Sequence, residues 1–352
     1  MDMENNLSNK AEYVCADYFR LICAIGVVAL HLDPFYDVNE YVDFFIGSFL
    51  ARLCVPYFFL LSGFFLRDKL SDWSRLSKYL KNLIKLYVVY TVVSFPMIFR
   101  SFKDNGKTML EDAVFFLRNF FLVGSYGQLW YFLALIFAVA FLYVMTSKFK
   151  VSENTMIIIM VFLYLIGLFY RVYDKPIRDS IEKIRIITLY DDIFKTSRNG
   201  LFFGAPLVYL GNLVWKKDVK VNRQKCAFLF AISLILLLLE AIFARYVIGT
   251  SQLDMLLILP ATSVLFLILV LSKNMNCKGQ KFALWCRRIS VYIFGFHLFV
   301  FFCVKRILER MEISPNSLCK FCIVLVMNVM LGIIFTFLSK LKYGKWIEKV
   351  FL

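Results

Sequence analysis

The sequence predicts an all-α fold, a polytopic integral membrane protein of about ten transmembrane helices. Hydrophobic residues make up 61% of the 352 residues, and 39 residues are Phe. The mean hydropathy is +0.70, which exceeds what a soluble domain tolerates because so much apolar surface would face water. The apolar residues are also gathered into long runs separated by short polar segments, as expected when each run crosses a bilayer.

Ten apolar runs are long enough to be candidate spans. They cover residues 18–34, 43–66, 80–99, 128–146, 154–172, 198–215, 226–249, 253–272, 289–306 and 318–341. A further apolar stretch, 113–123, is too short to cross, and we expect it to lie in the interface or to re-enter the bilayer. Since no polar stretch is long enough for a separate soluble domain, residues 1–352 are expected to form a single membrane domain.

The distribution of the net charge of +16 predicts the topology. Lys and Arg are concentrated in alternate connecting segments, namely 67–81, 147–152, 216–225, 273–288 and the tail after Ser339. The short segments 35–42 and 250–252 contain none, so the positive-inside rule places both termini in the cytoplasm. The longer segments 100–127 and 173–197 contain both basic and acidic residues, and long segments count for less in the positive-inside rule. No basic stripe alternates with exposed aromatic residues, so we expect membrane lipid around the protein and no nucleic-acid partner.

The most informative residues are three ionisable side chains in the first span, within DYFRLICAIGVVALHLD. Arg20 and His31 are eleven positions apart, so three helical turns return them to nearly the same face, on which Asp17 also falls. The Arg and the His are ~16 Å apart along the axis. Ionisable groups within a span are costly, which favours a functional site. The alternative is an Arg that reaches the headgroups at one end of the helix and a His at the opposite interface.

The second span, ARLCVPYFFLLSGFFL, carries two further candidates. Arg52 lies inside the apolar run, where a guanidinium needs an anionic partner. Ser62, beside Gly63, permits close approach of a ligand or of another backbone. The alternative for Pro56 and Ser62 is a kink with tight helix packing.

The sixth span opens with SRNGLFFGAPLVYLGN. Arg198 and Asn199 lie at its outer end, where helix-terminal N–H groups also favour an anion or a polar ligand. Gly200 and Gly204 form a GxxxG pattern, which is typical of helix packing and weak as a sign of function.

Three other residues are candidates for binding a substrate. Glu240 lies near the middle of the seventh span, with a structural ion pair to Arg52 or Arg245 as the alternative. Tyr131, in the segment GQLWYF, is a candidate whose alternative is anchoring in the aromatic belt at an interface. His297, midway along the ninth span, is a candidate whose alternative is a buried neutral His held by one hydrogen bond.

No metal cofactor is expected. The chain has two histidines and lacks the HExxH, Walker A, GxGxxG and GxSxG patterns. Cys319 and Cys322 form a CxxC pattern, but within an apolar helix they are expected to be neighbours on one helix face.

The sequence segments that contain these candidate residues resemble the acyltransferase-3 family of integral membrane acyltransferases, and the resemblance extends over essentially the whole chain. The match rests on the Arg and His separated by ten residues in DYFRLICAIGVVALH, and on VPYFFLLSGFFL, LWYF and ISVYIFGFH. Within that family, ARLCVPYFFLLSGFFL and TSRNGLFFGAPLVYLG are similar to the membrane half of the serine racemases of vancomycin-resistance clusters. Those proteins carry a racemase domain after the membrane part, and we expect no such domain within residues 1–352.

The resemblance implies a ten-helix protein of a bacterial cell membrane with a central cavity. It also implies a cytoplasmic acyl-coenzyme A, expected to be acetyl-coenzyme A, as co-substrate and a hydroxyl on an extracytoplasmic glycan as acceptor. His31 is the expected catalytic base, because the pKa of an unperturbed imidazole lies near the operating pH. Arg20, oriented by Asp17, is expected to bind the phosphates of coenzyme A. The residues expected on the acceptor side are Arg52, Ser62, Tyr131, Arg198, Asn199, Glu240 and His297.

Two other functions stay open at this point. A transporter or binding module for a small amino acid such as serine would also need buried Arg, Glu and Asn around a carboxylate and an amine. A scaffold subunit of a surface-polysaccharide system would do no chemistry, and a separate partner protein of a cell-envelope pathway is compatible with every alternative. His31 discriminates among them, because acyl transfer needs its titratable nitrogen and the other two functions do not.

Overall fold

The computed structural model describes residues 13–104, 108–173, 194, 196–218, 222–272, 279–341 and 344–352. Within these ranges every regular element is a helix, so the predicted all-α fold is confirmed. The chain divides into two compact units. The first comprises Met1–Phe58, Val219–Ile232 and Ser263–Leu352, and the second comprises Phe59–Asp218 and Ser233–Thr262.

Twelve α-helices of seven residues or more lie in the described part of the chain. They are α1 (Val14–Leu32), α2 (Cys54–Leu66), α3 (Trp73–Asp104), α4 (Met109–Arg118), α5 (Trp130–Tyr143), α6 (Glu153–Leu168), α7 (Ala205–Lys216), α8 (Arg223–Tyr246), α9 (Leu259–Leu271), α10 (Gln280–Arg310), α11 (Ser317–Leu338) and α12 (Lys345–Phe351).

Eight helical stretches among the described residues are long and apolar enough to cross a membrane. They are Val14–Leu32, Glu40–Ser71, Trp73–Phe102, Met109–Lys148, Glu153–Tyr173, Arg223–Tyr246, Gln280–Arg310 and Ser317–Leu338. The predicted spans 198–215 and 253–272 correspond to shorter helical segments, which are α7 with the preceding turn Gly200–Gly204, and α9. All ten predicted runs are therefore helical, whereas eight of them reach the length of a full span.

The helices extend beyond the predicted runs into the basic segments. α3 begins at Trp73 and α10 begins at Gln280, so the segments 67–81 and 273–288 are in part helical rather than connections. The physical reason is that Lys and Arg are good helix formers whose charged ends reach polar surroundings while their stems lie along the helix. Arginines that set the topology are thereby available for contacts inside the fold.

The segment 100–127, expected as a loop, contains α4 and a π-helical turn, Asn119–Val123. Together these hold the whole apolar stretch 113–123. The turn ends at Gly124, whose φ of 117° is readily adopted only by glycine. In the other expected loop, 173–197, residues 174–193 and 195 lie outside the described part of the chain.

In the first unit, α1 packs along α10, and α10 packs along α11. Ala24 and Val28 of α1 are fully buried, and small buried residues let helix backbones approach closely. The Tyr57 hydroxyl donates a hydrogen bond to the carbonyl oxygen of Ala16 at 2.9 Å. The helix that carries the predicted Arg and His is therefore part of the core of this unit.

In the second unit, α5 packs against α3, α7 and the π-helical turn Gly200–Gly204. Gly63 of α2 approaches the carbonyl oxygen of Val208, and Gly211 of α7 approaches that of Leu60, which leaves no room for a side chain at either glycine. The predicted close backbone approach beside Ser62 is confirmed, and its partner is α7.

Five π-helical turns occur in the described residues, namely Phe44–Phe49, Asn119–Val123, Val144–Lys148, Phe169–Tyr173 and Gly200–Gly204. Such turns are rare and are often found at functional sites. Two of them position charged residues of the second unit, because one contains Arg171 and another directly follows Arg198 and Asn199. Hydrophobic periodicity does not reveal them, since one extra residue per turn hardly changes an apolar run.

Candidate functional site

The Asp17 carboxylate is the centre of a charged cluster in the first unit. The Arg287 guanidinium of α10 donates two parallel hydrogen bonds to it, from Nε to Oδ1 at 2.7 Å and from Nη2 to Oδ2 at 2.6 Å. Arg20, one turn along α1, places its Nη1 atom 3.6 Å from Oδ1. The Asp17 side chain is 3% exposed, whereas those of Arg20 and Arg287 are 23% and 22% exposed. Asp17 thus positions two guanidinium groups that keep part of their surface accessible.

Arg287 is the functional candidate that sequence reasoning missed. It falls in the basic segment 273–288, where its charge is explained by topology alone. A buried carboxylate such as Asp17 requires a cationic partner, and that requirement could have pointed to Arg287. Arg20, three positions after Asp17 on the same helix, already supplied such a partner in the sequence. Arg287 and Asp17 are 270 residues apart in sequence, so only the packing of α10 on α1 brings them together.

The two histidines of the chain meet elsewhere along the same pair of helices. The ring centroids of His31, in the last turn of α1, and His297, in α10, are 5.2 Å apart, with the ring planes tilted by 37°. His297 is fully buried, and its Nδ1 atom lies 3.0 Å from the carbonyl oxygens of Ile293 and Phe294. His31 is exposed. His297 therefore fits the alternative of a buried His held by hydrogen bonding. That alternative did not foresee the contact between the His297 and His31 rings.

The helix face that joins Arg20 to His31 is buried within the first unit. Ala24 and Val27, which lie between them on that face, are 0% and 2% exposed. Arg20 and His31 are consequently the two ends of one protein-covered stripe, with a pair of arginines at one end and a pair of histidines at the other.

The Arg52 charge acts on the Asp33 carboxylate within the first unit. Asp33 follows α1 directly and has a left-handed φ of 43°. Partial burial and the Asp43 carboxylate raise the pKa of Asp33, and the Arg52 charge opposes that rise. Arg52 also donates from Nε to the carbonyl oxygen of Ser48 at 3.4 Å. Asp33, two residues after His31, is thus an acidic group on which the Arg52 charge acts.

A second charged cluster surrounds Asp254 in the second unit. Arg171 donates to Asp254 from Nε and from Nη2, both at 3.0 Å, and Arg198 places Nη1 3.1 Å from Oδ2. The Arg198 guanidinium also lies over the Trp130 ring, 4.5 Å from its centroid. The Asp254 side chain is 6% exposed. Sequence reasoning found Arg198 but missed Arg171 and Asp254, because both are near the ends of apolar runs where charged residues are ordinary.

The Tyr131 side chain is buried inside the second unit. It is 8% exposed, and its ring centroid lies 4.7 Å from that of Phe59. The Tyr131 hydroxyl oxygen lies 3.3 Å from the Ser62 hydroxyl oxygen. Two candidates from different spans are therefore brought together inside the second unit, because α5 and α2 pack there through aromatic side chains.

Asn199 and Glu240 are engaged in local structure. The Asn199 side chain accepts hydrogen bonds from the N–H groups of Leu201 and Phe202, so it occupies the helix-terminal donors expected to favour a ligand. The Glu240 carboxylate accepts from the Tyr173 hydroxyl at 2.9 Å. It also accepts from the N–H groups of Leu257 at 2.6 Å and Ile258 at 3.0 Å. Glu240 thus fixes the start of α9, in place of the ion pair with an arginine that the sequence suggested.

A cavity of about 500 Å³ adjoins Arg198 within the second unit. Most of its lining is apolar and comes from α5 and from residues around the turn Gly200–Gly204, and its polar lining side chains are those of Arg198, Asn199 and Trp130. In the described part of the chain, no three or more His, Cys, Asp or Glu side chains are grouped so that they could hold a metal ion.

Residues 13–337 match the acyltransferase domain that defines the acyltransferase-3 family. The chain belongs to this family, as its resemblance predicted. Because the family match covers both compact units and the helices are apolar and of spanning length, the protein is a multi-pass membrane protein built on an acyltransferase-3 domain.

Two similar curated proteins come from enterococci. An amino-acid racemase of Enterococcus faecalis is 26% identical over 335 residues, which is 90% of this chain and 45% of the relative. A serine/alanine racemase of Enterococcus gallinarum is 28% identical over 341 residues, which is 92% of this chain and 46% of the relative. The chain thus spans about half the length of the curated relatives it matches. No solved structure matches the chain.

Proposed function

We propose that the protein transfers an acyl group, in the first instance acetyl, from cytoplasmic acyl-coenzyme A to a hydroxyl of an extracytoplasmic acceptor such as a cell-surface glycan. The observation that carries the proposal is the buried stripe of α1, which has Arg20 at one end and His31 at the other. Asp17 and Arg287 complete the first end, and His297 adjoins the second.

The arginine end of the stripe suits the donor. Two guanidiniums that share one carboxylate carry an excess positive charge, and their planar forks match phosphate oxygens. If both termini are cytoplasmic, Arg20 and Arg287 face the compartment that contains acyl-coenzyme A. The extended pantetheine arm separates the thioester from the nucleotide phosphates, which is compatible with the ~16 Å between Arg20 and His31 along the helix.

The histidine end suits the transfer step. His31 takes the proton from the acceptor hydroxyl while the oxygen forms a bond to the thioester carbonyl carbon. The carbon–sulfur bond then breaks, and the coenzyme A thiolate leaves and receives a proton. A neutral imidazole performs the first part and an imidazolium the second, so one side chain serves both.

Within the first unit, the acceptor side is proposed to include Arg52. Among the second-unit candidates, Arg198 has accessible surface, being 31% exposed, and it lines a cavity. Ser62 and Tyr131 offer paired hydroxyl groups for a polar acceptor. Asn199 and Glu240 are weaker candidates, because their side-chain oxygens already bind backbone N–H groups.

The decisive binding experiment is isothermal titration of the protein in nanodiscs with coenzyme A and with acetyl-coenzyme A. We expect Arg20→Ala to abolish donor binding and His31→Ala to retain it. The attraction is salt-sensitive because the phosphates of the nucleotide part are charged. Equal loss in both variants would contradict the separate roles of the two ends.

The decisive activity experiment uses membrane vesicles supplied with radiolabelled acetyl-coenzyme A, with label in surface glycan as the readout. His31→Ala is expected to lower the rate by ~10²–10⁴ while insertion stays intact. Arg20→Lys is expected to raise the apparent KM for the donor with the acceptor dependence little changed. A His31→Ala variant with more than about half the activity would show that another group takes the proton.

The topology is tested separately by cysteine-accessibility labelling. Labels reacting with residues 33–41 from the cytoplasm would overturn the placement of the donor site inside the cell. Labels reacting with these residues from outside would agree with it.

A second candidate function is binding or transport of a small amino acid. It is favoured by one observation, the similarity of nearly the whole chain to proteins called serine/alanine racemase and amino-acid racemase. The same titration with serine and alanine tests it. Serine binding without coenzyme A binding would make this the better proposal.

A further inference from the structure

The Nε2 atom of His297 is a buried acceptor whose purpose the fold does not explain. Its ring partner Nδ1 lies 3.0 Å from two carbonyl oxygens, those of Ile293 and Phe294. A carbonyl oxygen only accepts hydrogen bonds, so Nδ1 carries the proton in the neutral ring and Nε2 carries the lone pair. Among the described residues Nε2 has no hydrogen-bond partner, although the side chain is fully buried. Buried acceptors without partners are uncommon and demand an explanation.

The donor nearest at hand is the imidazole of His31. The two ring centroids are 5.2 Å apart and the planes are tilted by 37°, so the rings are not stacked face to face. This separation is compatible with a hydrogen bond between a nitrogen of His31 and Nε2 when the exposed His31 ring is turned toward it. His297 itself is held by its two backbone contacts, and the ion pair of Asp17 with Arg287 also joins α1 to α10.

We propose that His297 is a positioning residue for His31, with its Nε2 atom accepting the N–H of the His31 imidazole. This inference rests on the proposed function, in which His31 is the base. The hydrogen bond selects one tautomer of His31 and leaves the lone pair of the opposite nitrogen for the acceptor hydroxyl. When that nitrogen takes the hydroxyl proton, His31 becomes an imidazolium that donates more strongly to Nε2. His297 keeps its own proton on Nδ1 throughout and gains none from the substrate.

Two variants of His297 separate positioning from packing. His297→Asn retains a donor near Nδ1 for the backbone carbonyl oxygens and removes the acceptor at Nε2. His297→Gln places an amide oxygen near the Nε2 position and so retains an acceptor. Asn328→Ala is a matched control, because Asn328 is also fully buried in the first unit, donates to a carbonyl four residues earlier at 2.8 Å, and has an unpartnered acceptor oxygen.

The first measurement is nitrogen NMR of protein labelled with ¹⁵N-histidine in nanodiscs. Because the chain has two histidines, the spectrum contains two rings, and His31→Gln assigns them. In the wild-type protein we expect His297 to be protonated at Nδ1 and His31 to populate one tautomer. In His297→Asn the His31 ring is expected to relax to a mixture of tautomers, in His297→Gln to remain mostly in one, and in Asn328→Ala to be unchanged.

The second measurement is the acetyl-transfer rate in the vesicle assay. His297→Asn is expected to lower kcat by roughly 10- to 100-fold, as loss of a residue that orients a reactive imidazole does elsewhere. The donor KM is expected to change little, and His297→Gln is expected to recover part of the rate. Thermal unfolding of all variants in detergent checks that they fold.

The results that overturn the inference are distinct from those that overturn the proposed function. A wild-type His297 protonated at Nε2, or a His31 tautomer that does not respond to His297→Asn, would refute the pairing even if acyl transfer were intact. Equal losses of rate in both His297 variants and in Asn328→Ala would reduce His297 to a packing residue. The His31 tautomer could respond to His297→Asn in a protein that binds serine and not coenzyme A. That result would support the His31–His297 hydrogen bond and refute the acyltransferase proposal.

Discussion

Asp17 and Asp254 are both buried and both held by two arginines, yet the two clusters are assembled differently. Arg287 binds Asp17 with two short hydrogen bonds from a distant helix, whereas Arg20 lies one turn away on the same helix as Asp17. One partner is therefore tertiary and the other local. The local arginine also belongs to the stripe that leads to the candidate base.

Around Asp254, both arginines come from other segments. Arg171 lies in a π-helical turn, and Arg198 precedes another such turn and covers the Trp130 ring. This aspartate connects three separate stretches of chain within the second unit. Its neighbours are thus tied to each other rather than to one helix face.

From this comparison we infer that the same ion-pair chemistry serves two purposes. A buried carboxylate that orients a local arginine presents a guanidinium to a ligand, whereas one that joins distant segments holds irregular backbone in place. We therefore expect the Asp17 cluster to matter for donor binding and the Asp254 cluster to matter for folding. The following experiments test this division.

The largest effect is expected from removing either carboxylate. Asp17→Ala and Asp254→Ala each leave two arginines without their buried anion, which costs about 3 kcal/mol or more of the free energy of unfolding. Thermal unfolding in detergent measures this loss. Of the protein that remains folded, we expect Asp254→Ala to bind coenzyme A and Asp17→Ala not to bind it. Donor binding by both variants would remove the functional distinction between the clusters.

A smaller effect is expected from replacing the arginine that makes two hydrogen bonds in each cluster. Arg287→Lys and Arg171→Lys keep the charge but lose the second parallel hydrogen bond, at a cost of about 2 kcal/mol each. The comparison is sharpened by kinetics with acetyl-coenzyme A. Arg287→Lys should raise the donor KM, whereas Arg171→Lys should leave it unchanged, and a raised KM in both would mean that donor binding reports general stability.

The aromatic contact of Arg198 is expected to contribute less. Trp130→Leu removes the cation–π contact, which is worth about 1 kcal/mol at a partly exposed site. Trp73→Leu is the control, because Trp73 is exposed and packs on Tyr143 in the same unit without an arginine over its ring. We expect the unfolding midpoint to fall further in Trp130→Leu, which loses the cation–π contact as well as ring contacts with Phe59 and Phe203. Equal losses would show that Trp130 acts through its apolar area.

The smallest effect on stability is expected at Asp37, an exposed aspartate that belongs to neither cluster. Asp37 accepts a hydrogen bond from the Ser317 N–H at 2.8 Å, and that bond lowers the pKa of Asp37. A lowered pKa in the folded state means that the stabilisation is present above the unfolded-state pKa of about 3.9 and disappears as the pH falls through the folded-state pKa.

The test for Asp37 compares unfolding midpoints of the wild-type protein and Asp37→Asn as a function of pH. We expect a small difference at neutral pH that vanishes in acid. A difference that persists in acid would mean that the side chain contributes by packing rather than by charge.

Much of the first cluster was predictable from sequence, and little of the second was. Asp17, Arg20 and His31 share a face because helical geometry alone relates positions three and eleven apart. Arg171 and Asp254 belong to π-helical and loop backbone, for which no simple periodicity exists. The burial of the Tyr131 ring was not predictable for a related reason, since it depends on Phe59 from another helix.

What the sequence by itself determined is the all-α membrane fold, the family and the stripe from Arg20 to His31. Each follows from apolar run length or from spacing along one helix, which are local properties of the chain. The tertiary structure decided the partners of those residues, with Arg287 bound to Asp17 and His297 beside His31. The pairs Asp17–Arg287 and His31–His297 are each separated by more than 260 residues. Such contacts depend on which faces of two helices pack together, and no pattern within a single helix specifies that choice.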